Sequence, residues 1–221
     1  NLSRRDADVA IRASDSPGET LVGRRLANLN WAVYARADAP ATEAEAHEPK
    51  LLFRRDWVAL GDPLGYVKAA RYVRDHVPAE RIALRSSAVL GLTEAVEQGM
   101  GIGPLPCFIA DQRPGLVRLL PPDPDFSTGL WILTHPDIRH APRVRAFMDF
   151  VGGELAKRKA QLEGAGERDD GAGDRRVVAV ARQVLHEGAI DLEPSDRKPL
   201  QRGKAGIARA EIIDGKVHAE L

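Results

Sequence analysis

The chain has 221 residues, of which 43% are hydrophobic and 29% are charged, as in an ordinary globular protein. The chain has 32 basic residues (Lys and Arg) and 32 acidic residues (Asp and Glu), so its formal net charge is zero. This balance gives no support to nucleic-acid binding by this segment alone. The single cysteine excludes an internal disulfide. No apolar run could span a bilayer and the start lacks the apolar core of a signal peptide, so we expect a soluble cytoplasmic protein.

Apolar runs separated by turn residues predict strands in the first part of the chain. Residues 9–11 predict a buried strand that ends in the turn signal at residues 14–18. Residues 21–26 and 31–34 predict two more strands. Residues 37–50 are rich in Ala, Glu and Pro, which predicts a loop or a short helix.

Strands and helices alternate in the next segment. Residues 57–60 predict a strand that stops at Gly61-Asp62-Pro63, and residues 64–76 predict a helix that a proline closes. Residues 82–84 predict a further strand. Alternation of this kind predicts an α/β fold with a largely parallel sheet, in which ligands bind at the carboxyl ends of strands.

A second helix follows, with apolar residues at helical spacing from residue 89 to residue 96. Ser86 and Ser87 occupy the position of an N-cap, because their hydroxyl groups can bond free backbone N–H groups. Gly99 occupies the position of the glycine that ends a helix.

The remaining segments predict three strands and a long helix. Residues 101–106 predict a buried strand that passes into a turn. Residues 116–120 and 130–134 predict further strands, and the apolar stripe over residues 141–160 predicts a helix.

The composition changes after about residue 160. Residues 161–174 are rich in Gly, Glu and Asp and predict a linker. Residues 175–187 predict an amphipathic helix, residues 189–205 are polar, and residues 210–221 predict strands around the hairpin signal Asp214-Gly215. This tail has too few apolar residues to build a core of its own, and we expect it to have little order.

Four blocks in order resemble the LysR-type transcriptional regulators. LSRRDADVAIR resembles the strand that ends the first subdomain of the family's sensor, and LVGRRLANLNWAVYAR resembles the crossing into its second subdomain. RIALRSSAVLGLTEAVEQGMGIGPLPCFIADQRPGLVRLL is the most specific block, because it is similar to the family's strand–Ser/Asn–helix–Gly-x-Gly-Ile–Leu-Pro pattern. LWILTHPDIRHAPRVRAFMDFV resembles the family's closing strand and helix.

The resemblance implies a type 2 periplasmic-binding-protein-like α/β fold with two lobes and a ligand cleft between them. It implies that residues 1–160 form a partial effector-binding domain and that residues 161–221 are a linker and an unassigned tail. We expect the second lobe, roughly residues 30–135, to be nearly complete and the first lobe to be partial. The family's winged helix-turn-helix has no counterpart in this chain, so we expect DNA contact only through a missing N-terminal domain.

The resemblance also implies the partners, which are a small-molecule effector and a second copy of the parent protein in a homo-oligomer. Ser86 and Ser87 are candidate effector-binding residues, because hydroxyl groups and helix N-terminal amides suit a small anionic metabolite. The alternative is that the two serines only cap the helix. Gly103 and Pro104 are candidates for the opposite wall of the cleft, and the alternative is a structural turn.

Three charged residues complete the candidate set. Arg12 and Arg36 fall at strand ends expected to cross between lobes, where a guanidinium fork can bind a carboxylate. The alternative, a solvated or salt-bridging arginine, is the commoner role of such a residue. Asp62 follows a strand and is a candidate hydrogen-bond acceptor for the ligand, although such an aspartate more often caps the next helix.

No cofactor, metal or catalysis is expected. His135, His140 and Asp137 fit no standard metal-binding spacing, and Cys107 lies in apolar sequence that suits a buried small hydrophobe better than a redox sensor. Neither a Gly-x-Ser-x-Gly elbow nor a phosphate-binding glycine motif occurs, so we predict that the protein is not an enzyme.

Effector sensing for transcriptional regulation is therefore the preferred hypothesis. A solute-binding receptor would share the fold but would require export, and an enzyme on the same scaffold would require a base and a nucleophile. The chain also begins without Met, so a truncated gene product that folds poorly is a further hypothesis, because an incomplete first lobe would leave sheet edges exposed.

Overall fold

A computed structural model of the chain describes residues 8–16, 20–62 and 64–165, together with the backbone of strands at residues 190–192, 209–213 and 216–220. The predicted helix over residues 175–187 and most of the predicted linker lie outside the described residues. The chain divides into two compact units. The first comprises Asn1–Leu26, Gly129–Lys157 and Ala179–Leu221, and the second comprises Ala27–Thr128 and Arg158–Val178.

The described strands and helices follow the predicted order along the chain. The strands are β1 (Val9–Ser14), β2 (Val22–Arg36), β3 (Trp57–Leu60), β4 (Ile82–Ser86), β5 (Gly103–Pro106), β6 (Leu116–Arg118), β7 (Asp123–Thr134), β8 (Ile190–Leu192), β9 (Arg209–Ile213) and β10 (Lys216–Glu220). The helices are α1 (Glu43–His47), α2 (Lys68–His76), α3 (Val89–Glu97), α4 (Cys107–Ala110), α5 (Pro142–Lys157) and α6 (Lys159–Leu162). Short 3-10 helices span Pro49–Arg54, Ala79–Arg81 and Pro136–Ile138.

The prediction of two separate strands between residues 21 and 34 is wrong, because β2 is a single strand of 15 residues. The polar residues Asn28 and Asn30 lie in its middle and do not interrupt it. The Asn28 amide N–H donates to Glu163 Oε1 at 3.0 Å, and Asn30 Nδ2 donates to the Glu163 carbonyl at 2.8 Å. Glu163, distant in the chain, therefore provides acceptors for the Asn28 backbone N–H and for the Asn30 side chain, and the strand continues through both residues.

The prediction of a largely parallel sheet is also wrong for the larger sheet. Among the described residues its order is β5-β2-β7-β1-β8, with β6 also paired to β2, and the pairs β1–β7, β1–β8, β2–β5 and β2–β6 are antiparallel. Parallel pairing joins β3 to β4 and recurs in a bridge from Trp57 to Ile102, just before β5. Parallel neighbours require a crossover, and helices α2 and α3 provide crossovers only between β3, β4 and β5.

The first unit is built on β1. Its six residues pair with β7 from Val9–Thr134 to Ser14–Gly129, and β8 pairs with its other side.

The predicted strands around Asp214-Gly215 are confirmed as the antiparallel pair β9–β10. The predicted long helix is confirmed as α5, in which Val144 and Leu155 are buried. No helix among the described residues is both long and apolar enough to cross a membrane.

The second unit has a core between β2, β3, α2 and the segment after α1. Trp57 is almost completely buried there, and its indole N–H donates to the Leu52 carbonyl at 2.9 Å, so the ring is both packed and hydrogen-bonded. The buried members of this cluster are Val33, Ala35, Leu52, Trp57, Ala59, Val73, Val77, Ile102 and Leu119.

An ion pair beside this core fixes the connection between β2 and β3. Glu45, which is 8% exposed, accepts from Arg55 Nε at 2.7 Å and Arg55 Nη2 at 2.5 Å. The Arg55 guanidinium also donates to the carbonyls of Ala39 and Pro40, and Glu45 forms a capping box with Thr42. The hydrogen bonds from Arg55 lower the pKa of Glu45 to about 2.

We predict that Glu45→Gln lowers the free energy of unfolding by about 2 kcal/mol at neutral pH, because Arg55 loses its charged acceptor in a mostly buried position. The pKa of Glu45 is depressed from about 4.3 in the unfolded chain. The stabilisation is therefore full above that value and is lost as the pH falls towards about 2. Urea unfolding at several pH values measures this difference. Asp38→Asn is the control, because its ion pair with Arg36 is exposed; an equal loss in both variants would contradict the prediction.

Candidate functional site

The carboxyl ends of β3 and β4 meet in the second unit. Leu60 pairs with Ser86 in parallel register, and the Gly61 amide N–H donates to the Ser86 carbonyl at 2.9 Å. Asp62 and Ser87, the next residues along each chain segment, are both exposed. The structure thus brings together three of the predicted site residues, Asp62, Ser86 and Ser87, at one edge of a parallel strand pair.

Helix α3 begins at this edge, but the predicted capping by Ser86 or Ser87 is wrong. The N-cap residue is Ala88, which has no side chain able to bond the first-turn amides. Ser86 is still part of β4, and its Oγ donates to the Ala88 carbonyl at 2.9 Å and accepts from the Ala88 amide at 3.3 Å. The first turn of α3 therefore has no side-chain cap, and its amide groups and helix dipole favour a negative charge at this end.

A chain of polar contacts that sequence reasoning missed begins at Lys68. Lys68 is the first residue of α2, which follows the carboxyl end of β3, and its Nζ donates to the Ser127 carbonyl at 3.1 Å. Ser127 Oγ donates to Asn30 Oδ1 at 2.6 Å. A cation in the first turn of a helix opposes the helix dipole, and that mismatch is the sequence signal by which Lys68 could have been found.

Gly103 and Pro104 are buried inside β5, opposite Tyr34 and Val33 of β2. A Cβ atom on Gly103 would lie 2.8 Å from the Val58 carbonyl oxygen, so glycine allows β5 to approach β3 closely. This packing accounts for the glycine without a ligand. Effector contact by Gly103 and Pro104 stays a prediction.

The two candidate arginines are not part of the edge formed by Asp62, Ser86 and Ser87. Arg36 is in the same unit as that edge, and Arg12 is in the first unit. Arg36 is exposed at the end of β2, pairs with Asp38 at 2.6 Å and lies against Gly99, which follows the C-terminal end of α3. Helix α3 has nine residues and is about 13 Å long. Arg36 is therefore near its C-terminal end, whereas Ser87 lies just before its N-terminal end. Arg12 lies in the first unit opposite Trp131, and its buried Nε has no hydrogen-bond partner among the described residues.

Two other sequence predictions concern metal and thiol chemistry. In the described ranges, no group of three or more His, Cys, Asp or Glu side chains is placed to hold a metal ion. Cys107 is completely buried, as predicted, and burial raises the pKa of its thiol. It is therefore a buried small side chain in the core of the second unit.

Residues 1–156 match the model of the family described as the LysR substrate binding domain. The match covers most of the chain, and the chain belongs to this family. The resemblance predicted from four sequence blocks is therefore confirmed, and the function class is effector sensing in LysR-type regulation. No curated protein matches the chain by sequence.

Solved structures with the same fold are effector domains of transcriptional regulators. The regulatory domain of CrgA, a LysR-type transcriptional regulator from Neisseria meningitidis, is 22% identical over 72% of this chain and 78% of that chain, with a TM-score of 0.52. A reduced form of OxyR from N. meningitidis is 16% identical over 74% of this chain and 75% of that chain, with a TM-score of 0.51. The effector domain of AmpR from Pseudomonas aeruginosa is 18% identical over 72% and 76%, with a TM-score of 0.50. These likenesses establish the periplasmic-binding-protein-like α/β fold.

We predict that Gly103→Ala lowers the free energy of unfolding by about 1–3 kcal/mol, because the new methyl group meets the Val58 carbonyl inside a packed core. Gly153→Ala in α5 is the matched control, since its Cβ would meet no atom within 4 Å. That change should stabilise the protein by about 0.5–1 kcal/mol through helix propensity. Urea unfolding of both variants measures whether the free energy of unfolding falls in Gly103→Ala and rises in Gly153→Ala. A Gly103→Ala protein as stable as the unchanged protein would show that β3 and β5 are not closely packed.

Proposed function

We propose that this protein senses a small anionic effector at the edge formed by Asp62, Ser86 and Ser87, as the sensing part of LysR-type transcriptional regulation. The observation that carries the proposal is the hydrogen bond between the Gly61 amide and the Ser86 carbonyl, at 2.9 Å. This bond holds the ends of β3 and β4 together beside the uncapped start of α3. Strand ends beside helix N-termini are where α/β folds bind ligands.

Three features of this edge support a negatively charged ligand. The first-turn amides of α3 have no side-chain cap, so an effector carboxylate can accept their hydrogen bonds. Ser87 is exposed and supplies a hydroxyl donor. Lys68 adds positive charge at the start of α2, the helix that follows the carboxyl end of β3, and its Nζ donates to the Ser127 carbonyl.

Asp62 narrows the chemistry of the proposed effector. Its carboxylate is exposed at the edge and repels a second anionic group. A hydroxyl or ammonium group of the effector would instead donate to it. The proposed effector class is therefore a small carboxylate that carries a hydrogen-bond donor, such as a hydroxy acid or an amino acid.

The proposed mode of action is binding without catalysis. An effector that binds one conformation more tightly than another shifts the population towards that conformation, by no more than its difference in affinity. LysR-type regulators bind small-molecule effectors, oligomerise and bind DNA. We propose that this chain takes part in such a homo-oligomer in the cytoplasm and that effector binding changes its geometry. Arg12, Arg36, Gly103 and Pro104 remain proposed contacts of the effector.

A screen of hydroxy acids and amino acids by thermal unfolding tests the proposal. The matched amides serve as neutral controls at constant ionic strength. A ligand at about 100 times its Kd stabilises the folded state by about 2.7 kcal/mol, which is a readily measured rise in Tm. A screen in which the amides stabilise the protein as much as the acids would contradict an anionic effector.

We predict that Ser87→Asp weakens binding of a stabilising acid by at least about tenfold, because the new carboxylate repels the ligand. The same carboxylate lies next to the N-terminus of α3 and should leave the free energy of unfolding equal or about 0.5 kcal/mol higher. Binding and stability are thus expected to change in different directions. Ser16→Asp, at an exposed serine of the first unit, is the control, and calorimetric titration of both variants gives the affinities. Unchanged affinity in Ser87→Asp would place the effector elsewhere.

A further inference from the structure

The second unit contains a cavity of about 490 Å³ that the effector site does not use. Its polar wall is formed by Tyr34, Asp111 and Arg118, and its apolar wall includes Val117. Its remaining side is formed by Gly164 and Ala165. They belong to a segment that we call the strap, residues 162–165, which lies beyond the part of the chain that matches the family. We propose that this cavity is a second ligand site that binds a neutral small molecule of the carboxamide class.

The charge state of the polar wall argues for a neutral ligand. Arg118 Nη2 and Asp111 Oδ2 form an ion pair at 2.5 Å, and their side chains are only 26% and 18% exposed. Tyr34 is buried, its hydroxyl donates to Asp111 Oδ1 at 2.8 Å, and it accepts from Arg118 Nε at 3.1 Å. Burial raises the pKa of Tyr34, so its hydroxyl keeps its proton. A charged ligand would have to compete with this pair, whereas a neutral ligand leaves it intact.

The hydrogen-bonding capacity of the same wall suits a carboxamide. The five N–H groups of a guanidinium include two on Nη1, and Arg118 Nη1 forms no hydrogen bond among the described residues. A carboxylate offers about four lone-pair positions, and the described contacts of Asp111 fill two of them. The two N–H groups of Arg118 Nη1 and two lone-pair positions of Asp111 thus remain on residues that line the same cavity, and a carboxamide offers both a carbonyl oxygen and an N–H to such a wall.

The strap is held in place by specific contacts. The Gly164 carbonyl accepts from Arg118 Nη2 at 3.1 Å, and the Glu163 carbonyl accepts from Asn30. Leu162 is buried. Gly164 has φ +66°, and a Cβ atom there would lie 2.3 Å from Cys107 Cβ, so only glycine permits this approach. The side of the cavity lined by Gly164 and Ala165 therefore exists because the strap is docked on the second unit.

A titration of the full chain with benzamide, followed by ¹H–¹⁵N NMR, tests the proposal. We expect the largest shifts at the backbone amides of Val117 and Gly164 and at Arg118 Nε–H, and affinity for benzoate at least about tenfold lower. The absence of these shifts, shifts centred on Ser86 and Ser87, or equal affinity for benzoate would overturn it.

Two variants sharpen the test. Ala165→Trp fills the cavity from an exposed position and should abolish the benzamide shifts, whereas Ala156→Trp on the exposed side of α5 should not. Asp111→Asn removes the charge that balances Arg118, so the preference should move from benzamide towards benzoate. Persistent benzamide binding in Ala165→Trp, or an unchanged preference in Asp111→Asn, would refute the proposed site.

Discussion

Strand β2 is the element on which both units depend. A strand of 15 residues exposes a long row of backbone N–H and C=O groups, and nearly all such groups must find partners when they are buried. Its last residues pair with β5 and β6 in the second unit, and its first residues belong to the first unit. Continuous pairing sets the register of β5, and a shift by one residue would exchange its two faces.

The register of β5 in turn determines the packing around the proposed effector site. Because Gly103 lies opposite Tyr34 and has no side chain, β5 can approach the Val58 carbonyl of β3. Strands β3 and β4 then run parallel with their carboxyl ends together, and α3 starts beside them. The site is thus a consequence of backbone packing, and its chemistry comes from amides and hydroxyl groups rather than from a buried charged side chain.

Two kinds of electrostatics occur in the second unit. At the start of α3, the uncapped amides produce a positive end that an anion can neutralise. Around Tyr34, the Asp111–Arg118 pair is already neutral and partly buried. The two proposed sites therefore differ in the ligand charge that they favour. The strap that closes the second cavity lies beyond the family match, so this part of the proposed chemistry is not a property inherited from the family pattern.

The sequence by itself determined the family, the order of the elements and the buried faces of β3, β5 and α5, because these depend on local periodicity and on turn residues. It also selected Ser86, Ser87 and Asp62, since all three lie at or just after the carboxyl end of a strand. Only the tertiary structure decided that residues 22–36 form one strand, because the Asn28 backbone N–H and the Asn30 side chain both donate to Glu163, far away in the chain. It likewise placed Arg36 beside Gly99, which follows α3, and joined Tyr34, Asp111 and Arg118. Those outcomes depend on contacts between distant segments, and no local pattern encodes the partner of a long-range hydrogen bond.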